Sequence, residues 1–472
     1  MVSLTVISRT QQESVGPSPD AALYAVQELA RRAGVSREVF RTWRVDFADR
    51  DFVNVLVQPG TRKRIRFPRI GAGMWNQIQR GVFHTATASW PSHQRRTGEF
   101  TADLRIPFCS SSHFDLGPLF VSDSRDSLTC AVDLLASTVL TLARFEETLP
   151  SPKDVHGRFP ASASVAWRGG FLHRPIVDEY GLALERGLEL LLPGWRPLQR
   201  RLCVKVSHDV DEIGIPFSLR GALAKTVRNG RPILTLRDLL APLLRGDTTH
   251  QVLLKRLAQH SLERGLDSAI YWKSSRFGPY DTGYDVDDPR IRKLIDLLRA
   301  ENVEMGIHPS YATFHSPKLF RSEVEKLSAL LGGRDLGGRQ DYLRWSPESW
   351  VEWDAVGLAY DSSVGFADHI GFRAGTCIPY RPWLWSQQRR ADLVEIPLVA
   401  MDSTLFGYMN LSAEQALALL LDLCDRCRAA GGVFTLAWHN TSLANSSHAA
   451  IYRVLLDQLA SSGRYDWKSD LV

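Results

Sequence analysis

The segment Val204-Lys205-Val206-Ser207-His208-Asp209-Val210-Asp211-Glu212 is a short apolar run that empties into two carboxylates one residue apart. Alternate side chains of an extended chain share a face, so Asp209 and Asp211 lie on one side, roughly 6–7 Å apart at Cα. One of them can bind a hard cation while its neighbour handles a proton. An isolated Asp-x-Asp more often ends a strand in a solvated turn, so the weight falls on the polar clusters downstream.

Four further apolar runs end in the same way. Val303-Glu304-Met305-Gly306-Ile307 meets His308-Pro309-Ser310-Tyr311, and Leu336-Gly337-Gly338 leads into Arg339-Gln340-Asp341-Tyr342. Leu358-Ala359-Tyr360 leads into Asp361-Ser362-Ser363, and Phe434-Thr435-Leu436-Ala437-Trp438 ends at His439-Asn440. Gly371-Phe372-Arg373-Ala374-Gly375-Thr376 adds an arginine in a loop of small residues. Each alone reads as a hydrogen-bonded strand end or a salt-bridge partner. Together they form a carboxylate and imidazole set suited to a divalent metal, with a base, an acid and a cation to spare.

The elements that position these clusters alternate. Strand Leu202–Ser207, a basic helical stretch Leu219–Arg245, helix Val252–Arg264 and strand Ser268–Trp272 come first. Helix Ile291–Ala300, strand Val303–Ile307, helices Pro317–Leu331, Pro347–Val356 and Ala413–Ala430, strand Val433–Trp438 and helix Ala449–Ala460 follow. That order implies parallel pairing through crossover helices, hence a barrel-like or open α/β sheet whose chemistry gathers at the carboxyl ends of its strands. The first part differs in texture, with helix Asp20–Ala33, strands Phe52–Val57 and Lys63–Pro68, a long helix Ser127–Thr148 and a helix Ile176–Leu191. The turn-rich Leu192-Pro193-Gly194-Trp195-Arg196-Pro197 marks a boundary, so 1–195 is expected to be an accessory α+β domain and 196–472 the catalytic one.

Size and composition set bounds. At 472 residues, with 44% hydrophobic and 23% charged positions, the chain has room for two ordinary folded units. Its charge of +5 is interspersed rather than blocked, which gives no case for a nucleic-acid partner. No secretory leader or membrane span is read from the sequence, and a cytoplasmic protein is expected. Cys424 and Cys427 form a Cys-x-x-Cys inside an amphipathic helix without a second pair, so they read as core or surface thiols rather than zinc ligands.

The ordered set Ser207-His208-Asp209-Val210-Asp211, Gly306-Ile307-His308-Pro309-Ser310-Tyr311, Tyr360-Asp361-Ser362-Ser363, Gly371-Phe372-Arg373-Ala374-Gly375-Thr376 and Trp438-His439-Asn440 resembles the polysaccharide deacetylases of carbohydrate esterase family 4. It is closer to a bacterial subgroup with an added N-terminal domain, which Leu142-Ala143-Arg144-Phe145-Glu146-Glu147 and Arg174-Pro175-Ile176-Val177-Asp178-Glu179-Tyr180 also resemble. The resemblance implies a distorted (β/α) barrel that removes N-acetyl groups from a saccharide with a divalent metal, zinc by expectation. It assigns Asp209 as general base, Asp211 and His308 as metal ligands, Arg373 as the cation that keeps Asp209 ionised, and His439 as general acid. A metal would polarise the acetyl carbonyl while Asp209 takes a proton from water and His439 gives one to the departing amine.

One motif departs from the family pattern. A second metal histidine four residues after His308 is absent, because that position is Ala312. A catalytic zinc normally has three protein ligands, so the third is expected from Asp341, where the subgroup often carries histidine, or from His315, or there is no metal. Tyr280-Asp281 and Tyr284-Asp285 either line a sugar site or form Asx-type turns. Trp272, Trp345, Trp383 and Trp385 either stack on sugars or pack in the core, and Asp402 either contacts substrate or is structural. Alternatives to the deacetylase are a non-catalytic carbohydrate-binding or scaffolding protein, and a hydrolase of another C–N bond.

Overall fold

The computed structural model describes residues 5–6, 16–89, 103–108, 115–213, 249–274, 280, 284–333 and 335–470. The expected basic helix Leu219–Arg245 lies outside them.

The second part is one curled parallel sheet. Its strands are β1 (Cys203–Val210), β2 (Ser268–Trp272), β3 (Glu304–Ile307), β4 (Gly337–Gly338), β5 (Tyr360–Asp361), β6 (Val394–Glu395), β7 (Ala400–Met401) and β8 (Val433–Ala437), in the spatial order β6-β5-β4-β3-β2-β1-β8-β7. A two-residue strand, Gly463–Arg464, also pairs with β1. Every pairing along this path is parallel, and its two ends, β6 and β7, are successive in the chain. The sheet therefore curls into a distorted (β/α) barrel, as expected. All residues of β2 and β8 are buried, and so is β1 beyond its first residue, which is how a parallel sheet covered by helices must read.

Register sets the level of the site. Val210 lies opposite Trp272, Trp272 opposite Ile307, and Ile307 opposite Gly338. The residues that follow these positions share one rim. The approach of β3 and β4 is close enough to exclude a side chain, since a Cβ on Gly338 would stand 1.9 Å from the Ile307 carbonyl oxygen. Glycine there is what lets His308 and Arg339 emerge side by side.

The N-terminal domain has its own sheets. One runs Thr5–Val6, Arg44–Asp46, Phe52–Leu56, Arg64–Pro68, Ser127–Cys130, Phe120–Ser124, and a three-stranded one has Thr85–Ser89 between Asp103–Pro107 and Asp115–Pro118. Helix Pro19–Arg32 packs on helices Leu134–Leu142 and Ile176–Leu191. The single long helix expected over Ser127–Thr148 is corrected here. Ser127–Cys130 is a strand paired with Arg64–Arg66, Asp133 then caps a new helix by accepting from the Ala136 amide at 2.8 Å, and Arg144, at φ 52°, ends it. Strand partners on both sides, Arg64–Pro68 and Phe120–Ser124, override what reads as continuous helical apolarity.

Candidate active site

The carboxyl ends of β1, β3, β4, β7 and β8 converge on one cavity of about 250 Å³. Asp209, Asp211, His308, Asp341 and His439 all line it. Five positions read from the sequence are thus brought together, although they span 231 residues of chain (209 to 439, counted inclusively).

Asp209 is buried and its Oδ1 accepts from Nη1 of Arg339 at 2.8 Å. Arg339 is itself fully buried and donates also to Ser207 Oγ, Ser362 Oγ and the Ser362 carbonyl at 2.9–3.1 Å. This pairing corrects the expectation for Arg373. Its guanidinium is engaged elsewhere, by both oxygens of Glu147 and the Gly365 carbonyl, so the cation beside Asp209 is Arg339. The motif that contained Arg339 was legible as a strand end, but nothing in its spacing distinguished that arginine as the partner of Asp209.

Around Asp211 the charges crowd. Its Oδ1 lies 3.3 Å from His308 Nε2, and its Oδ2 lies 3.6 Å from His439 Nε2. Asp341 Oδ1 is 3.3 Å from the same His308 nitrogen. Burial alone would raise the Asp211 carboxyl, yet Lys273, the hydrogen bond with His308 and the charge of His439 hold it well below the ordinary range. Burial opposes protonation of His308, and Asp209, Asp211 and Asp341 outweigh it, lifting the imidazole to about 10. The expected alternative ligand His315 is exposed and stands outside this group.

His439 is oriented by a carboxylate. Asp402 Oδ1 lies 2.6 Å from His439 Nδ1, and Asp402 Oδ2 accepts from the His439 amide at 2.9 Å. This fixes Nε2 as the atom turned to the cavity. Burial disfavours the imidazolium, but Asp402 overcomes that and raises the group to about 9. Asp402, left open between substrate contact and structure, holds the imidazole.

Asp211, His308 and Asp341 each offer one ligand atom, and these atoms lie within 4.8 Å of one another, so the trio could hold a metal ion. Two observations fit a divalent cation. His308 Nδ1 lies 2.6 Å from the Arg339 carbonyl, which uses that nitrogen as donor and leaves Nε2 for a ligand. Asp211 Oδ1 and Asp341 Oδ2 are sealed from solvent without a hydrogen bond of good geometry. A neighbour absent from the sequence reading faces these same two oxygens: Lys273 Nζ, 3.1 Å from the first and 3.0 Å from the second. Lys273 follows the last residue of β2, and its position after Trp272 was the signal that could have found it.

The loop after β4 is strained where it meets the cavity. Tyr342 and Leu343 take φ of 56° and 52°, a left-handed conformation that bulky side chains rarely adopt. Arg158 of the N-terminal domain donates to the Tyr342 carbonyl and to the Tyr408 hydroxyl, both at 2.9 Å. Arg158, from the N-terminal part of the chain, therefore lines the site.

The remaining expectations divide. Trp272, Trp345 and Trp383 are core residues, and Trp385 packs on Phe145 with ring centres 4.7 Å apart, so among the described residues no tryptophan lines the cavity. Tyr342 and Tyr408 supply its aromatic wall. Tyr280 stacks near Tyr311 at 4.2 Å beside that wall, whereas Tyr284 is buried and its hydroxyl accepts from the Lys273 amide at 2.8 Å. Asp285 makes the turn reading, accepting from the Asp287 amide, and Asp281 lies outside the described residues. Asp361 is buried, holds Ser363 and is pushed up to about 6 by its burial, and the cavity does not include it. Cys424 and Cys427 are buried free thiols, as expected.

Comparison with known proteins adds little to this geometry. Residues 75–193 match a family of unknown function, DUF7033, which covers less than half of the chain. No curated protein matches. Among solved structures, a proposed polysaccharide deacetylase from Mycobacterium smegmatis is similar at 16% identity and TM-score 0.38, over 57% of this chain and 87% of its own. A proposed polysaccharide deacetylase of O-antigen biosynthesis from Bordetella bronchiseptica is similar at 12% identity and TM-score 0.29, over 58% and 90%. Both scores are below 0.5, so the fold stated above rests on strand order and register.

Proposed function

We propose that the chain is a hydrolase that removes an N-acetyl group from a saccharide, with Asp209 as base and His439 as acid. The observation that carries this reading is the placement of Asp209, paired with Arg339, and His439, paired with Asp402, at one cavity with the Asp211–His308–Asp341 group. The two groups are prepared for opposite proton transfers. Arg339 holds the Asp209 carboxylate in place through its Oδ1, and Asp402 favours the proton-donating form of His439.

In amide hydrolysis a water oxygen bonds to the acetyl carbon as its proton passes to Asp209. The C–N bond then breaks as His439 Nε2 gives a proton to the amine, leaving acetate and a free amino sugar. Asp211, His308 and Asp341 would hold a divalent metal, zinc in our reading, which when bound supplies Lewis-acid stabilisation of the developing negative charge. Tyr342 and Tyr408 offer faces for a pyranose ring. We also propose the boundary near residue 195, with the N-terminal domain as an accessory that completes the site through Arg158.

Lys273 favours a second reading, a carbohydrate-binding homologue that does not cleave, since an ammonium already stands 3.1 Å from Asp211 and 3.0 Å from Asp341. Acetate release separates the two. The full chain, incubated with zinc, cobalt or manganese and a panel of N-acetylated hexosamine oligosaccharides, is expected to free acetate from at least one. Binding without release from any member, in every metal, would overturn the hydrolase.

A further inference from the structure

Lys273 is the least expected residue of the site. Its side chain is 3% exposed, at the end of the central strand β2, where a long cation needs a specific partner to be tolerated. Its Nζ faces two of the three prospective ligands, at 3.1 Å from Asp211 and 3.0 Å from Asp341, and their oxygens on that side are closed to water. Lys273 does not line the cavity, so it meets the carboxylates from within the protein.

The charge balance follows. Lys273 sets one positive charge against Asp211 and Asp341, so a divalent ion arriving between them meets one unit less negative charge than it would without the lysine. Asp209 does not make up the difference, because Arg339 already neutralises it at 2.8 Å. The Asp211 oxygen that lies 3.3 Å from His308 Nε2 is also the one that Lys273 claims. An incoming ion must therefore share that oxygen with an ammonium or displace it, and like charges at such separations in a buried site repel strongly.

We propose that Lys273 is a resident internal cation that competes with a divalent metal for Asp211 and Asp341. The site binds metal weakly and exchangeably, and the ammonium keeps the carboxylates in place when metal is absent. This inference rests on the proposed metal role of Asp211, His308 and Asp341, and not on any turnover. It also accounts for the aspartate at 341. With a neutral imidazole there, Lys273 would lose the carboxylate that stands 3.0 Å from its Nζ, so Asp341 stabilises the buried ammonium.

The test measures metal affinity in the full-length protein. Zinc and cobalt are titrated calorimetrically, with chelator competition where binding is tight, into the wild type and Lys273→Met, with Asp341→Ala as the variant that loses a ligand. Lys273→Met keeps an unbranched side chain, one atom shorter, and removes the charge, and is expected to tighten metal binding at least about tenfold, while Asp341→Ala weakens it. Unchanged or weaker binding in a folded Lys273→Met protein would overturn the proposal, as would the absence of metal binding in both wild type and variant. Should Lys273→Met fail to fold, the wild type soaked with zinc and examined by anomalous diffraction decides. Zinc on Asp211, His308 and Asp341 with Nζ moved off the carboxylates supports competition; zinc there with Nζ still about 3 Å from both contradicts it. A failure of acetate release leaves these readouts intact, so the two proposals fail separately.

Discussion

The barrel mouth and the seam with the N-terminal domain both bury arginine–carboxylate pairs, yet the two regions are satisfied to different degrees. At the seam, Glu147 accepts from Nε of Arg144 at 2.8 Å and Nε of Arg373 at 3.0 Å on one oxygen, and from Arg373 again on the other. Asp178 likewise uses one oxygen for Arg32 and Thr376 and the other for the Cys377 amide. Nothing there is left to react. At the mouth, Asp209 has one oxygen on Arg339 while the residue still lines the cavity, and His439 has one nitrogen on Asp402 while the other faces inward. A buried charge whose partners close around it is architecture, whereas one held on a single side is available for chemistry.

The largest effect is expected at the seam. Glu147→Ala leaves Arg144 and Arg373 buried without their shared carboxylate, and should cost about 3–5 kcal/mol of stability. Chemical denaturation measures the loss, and the fraction that remains folded should keep its kcat. A drop in kcat without loss of stability would move Glu147 into the chemistry and dissolve the contrast.

Asp402→Asn should act in the opposite sense. It leaves the fold in place but removes the charge that supports His439, so kcat should fall about 10²-fold with KM nearly unchanged, read by steady-state kinetics on whichever substrate releases acetate. A raised KM with kcat unchanged would assign Asp402 to binding.

A smaller effect is expected in acid. Burial would raise Glu28, but Arg31 and Arg32 outweigh it and hold the carboxyl at about 2 in the folded chain. A folded value below the unfolded one means the unfolded chain binds the proton first. The stabilisation is therefore complete above the ordinary glutamate range near 4.5 and is lost as pH falls from there towards 2. Thermal unfolding from pH 6 to pH 3 should show a steeper loss in wild type than in Glu28→Gln, and parallel curves would remove Glu28 as a contributor. The least change belongs to Tyr408→Phe, which deletes the hydrogen bond from Arg158 and should raise KM a few fold with kcat unaltered.

The contrast also shows why some residues were legible and others not. Asp209, Asp211, His308, Asp341 and His439 each follow an apolar strand run, and parallel pairing forces such positions onto one rim whatever their distance in sequence. Arg373 stands in as conspicuous a motif, but its partner comes from Glu147, more than two hundred residues earlier, across an interface that periodicity does not describe. The loop carrying it is drawn against the N-terminal domain at Gly375, φ 63°, where a Cβ would stand 2.8 Å from Thr141. Arg144, Glu147 and Asp178 of the N-terminal part are the residues that hold this loop. Lys273 was invisible for a different reason. A lysine after a strand reads as solvated, and its burial depends on the register of β2 against β1, which places it between two carboxylates from elsewhere.

The central claim is that Asp209, held open by Arg339, is the base of an amide hydrolase. Acetate release by Asp209→Asn, measured beside metal binding and thermal stability in the same preparation, tests it most directly. The account predicts a fall in kcat of at least about 10²-fold with metal affinity and folding retained. Turnover near the wild-type rate in a folded, metal-binding Asp209→Asn protein would contradict it.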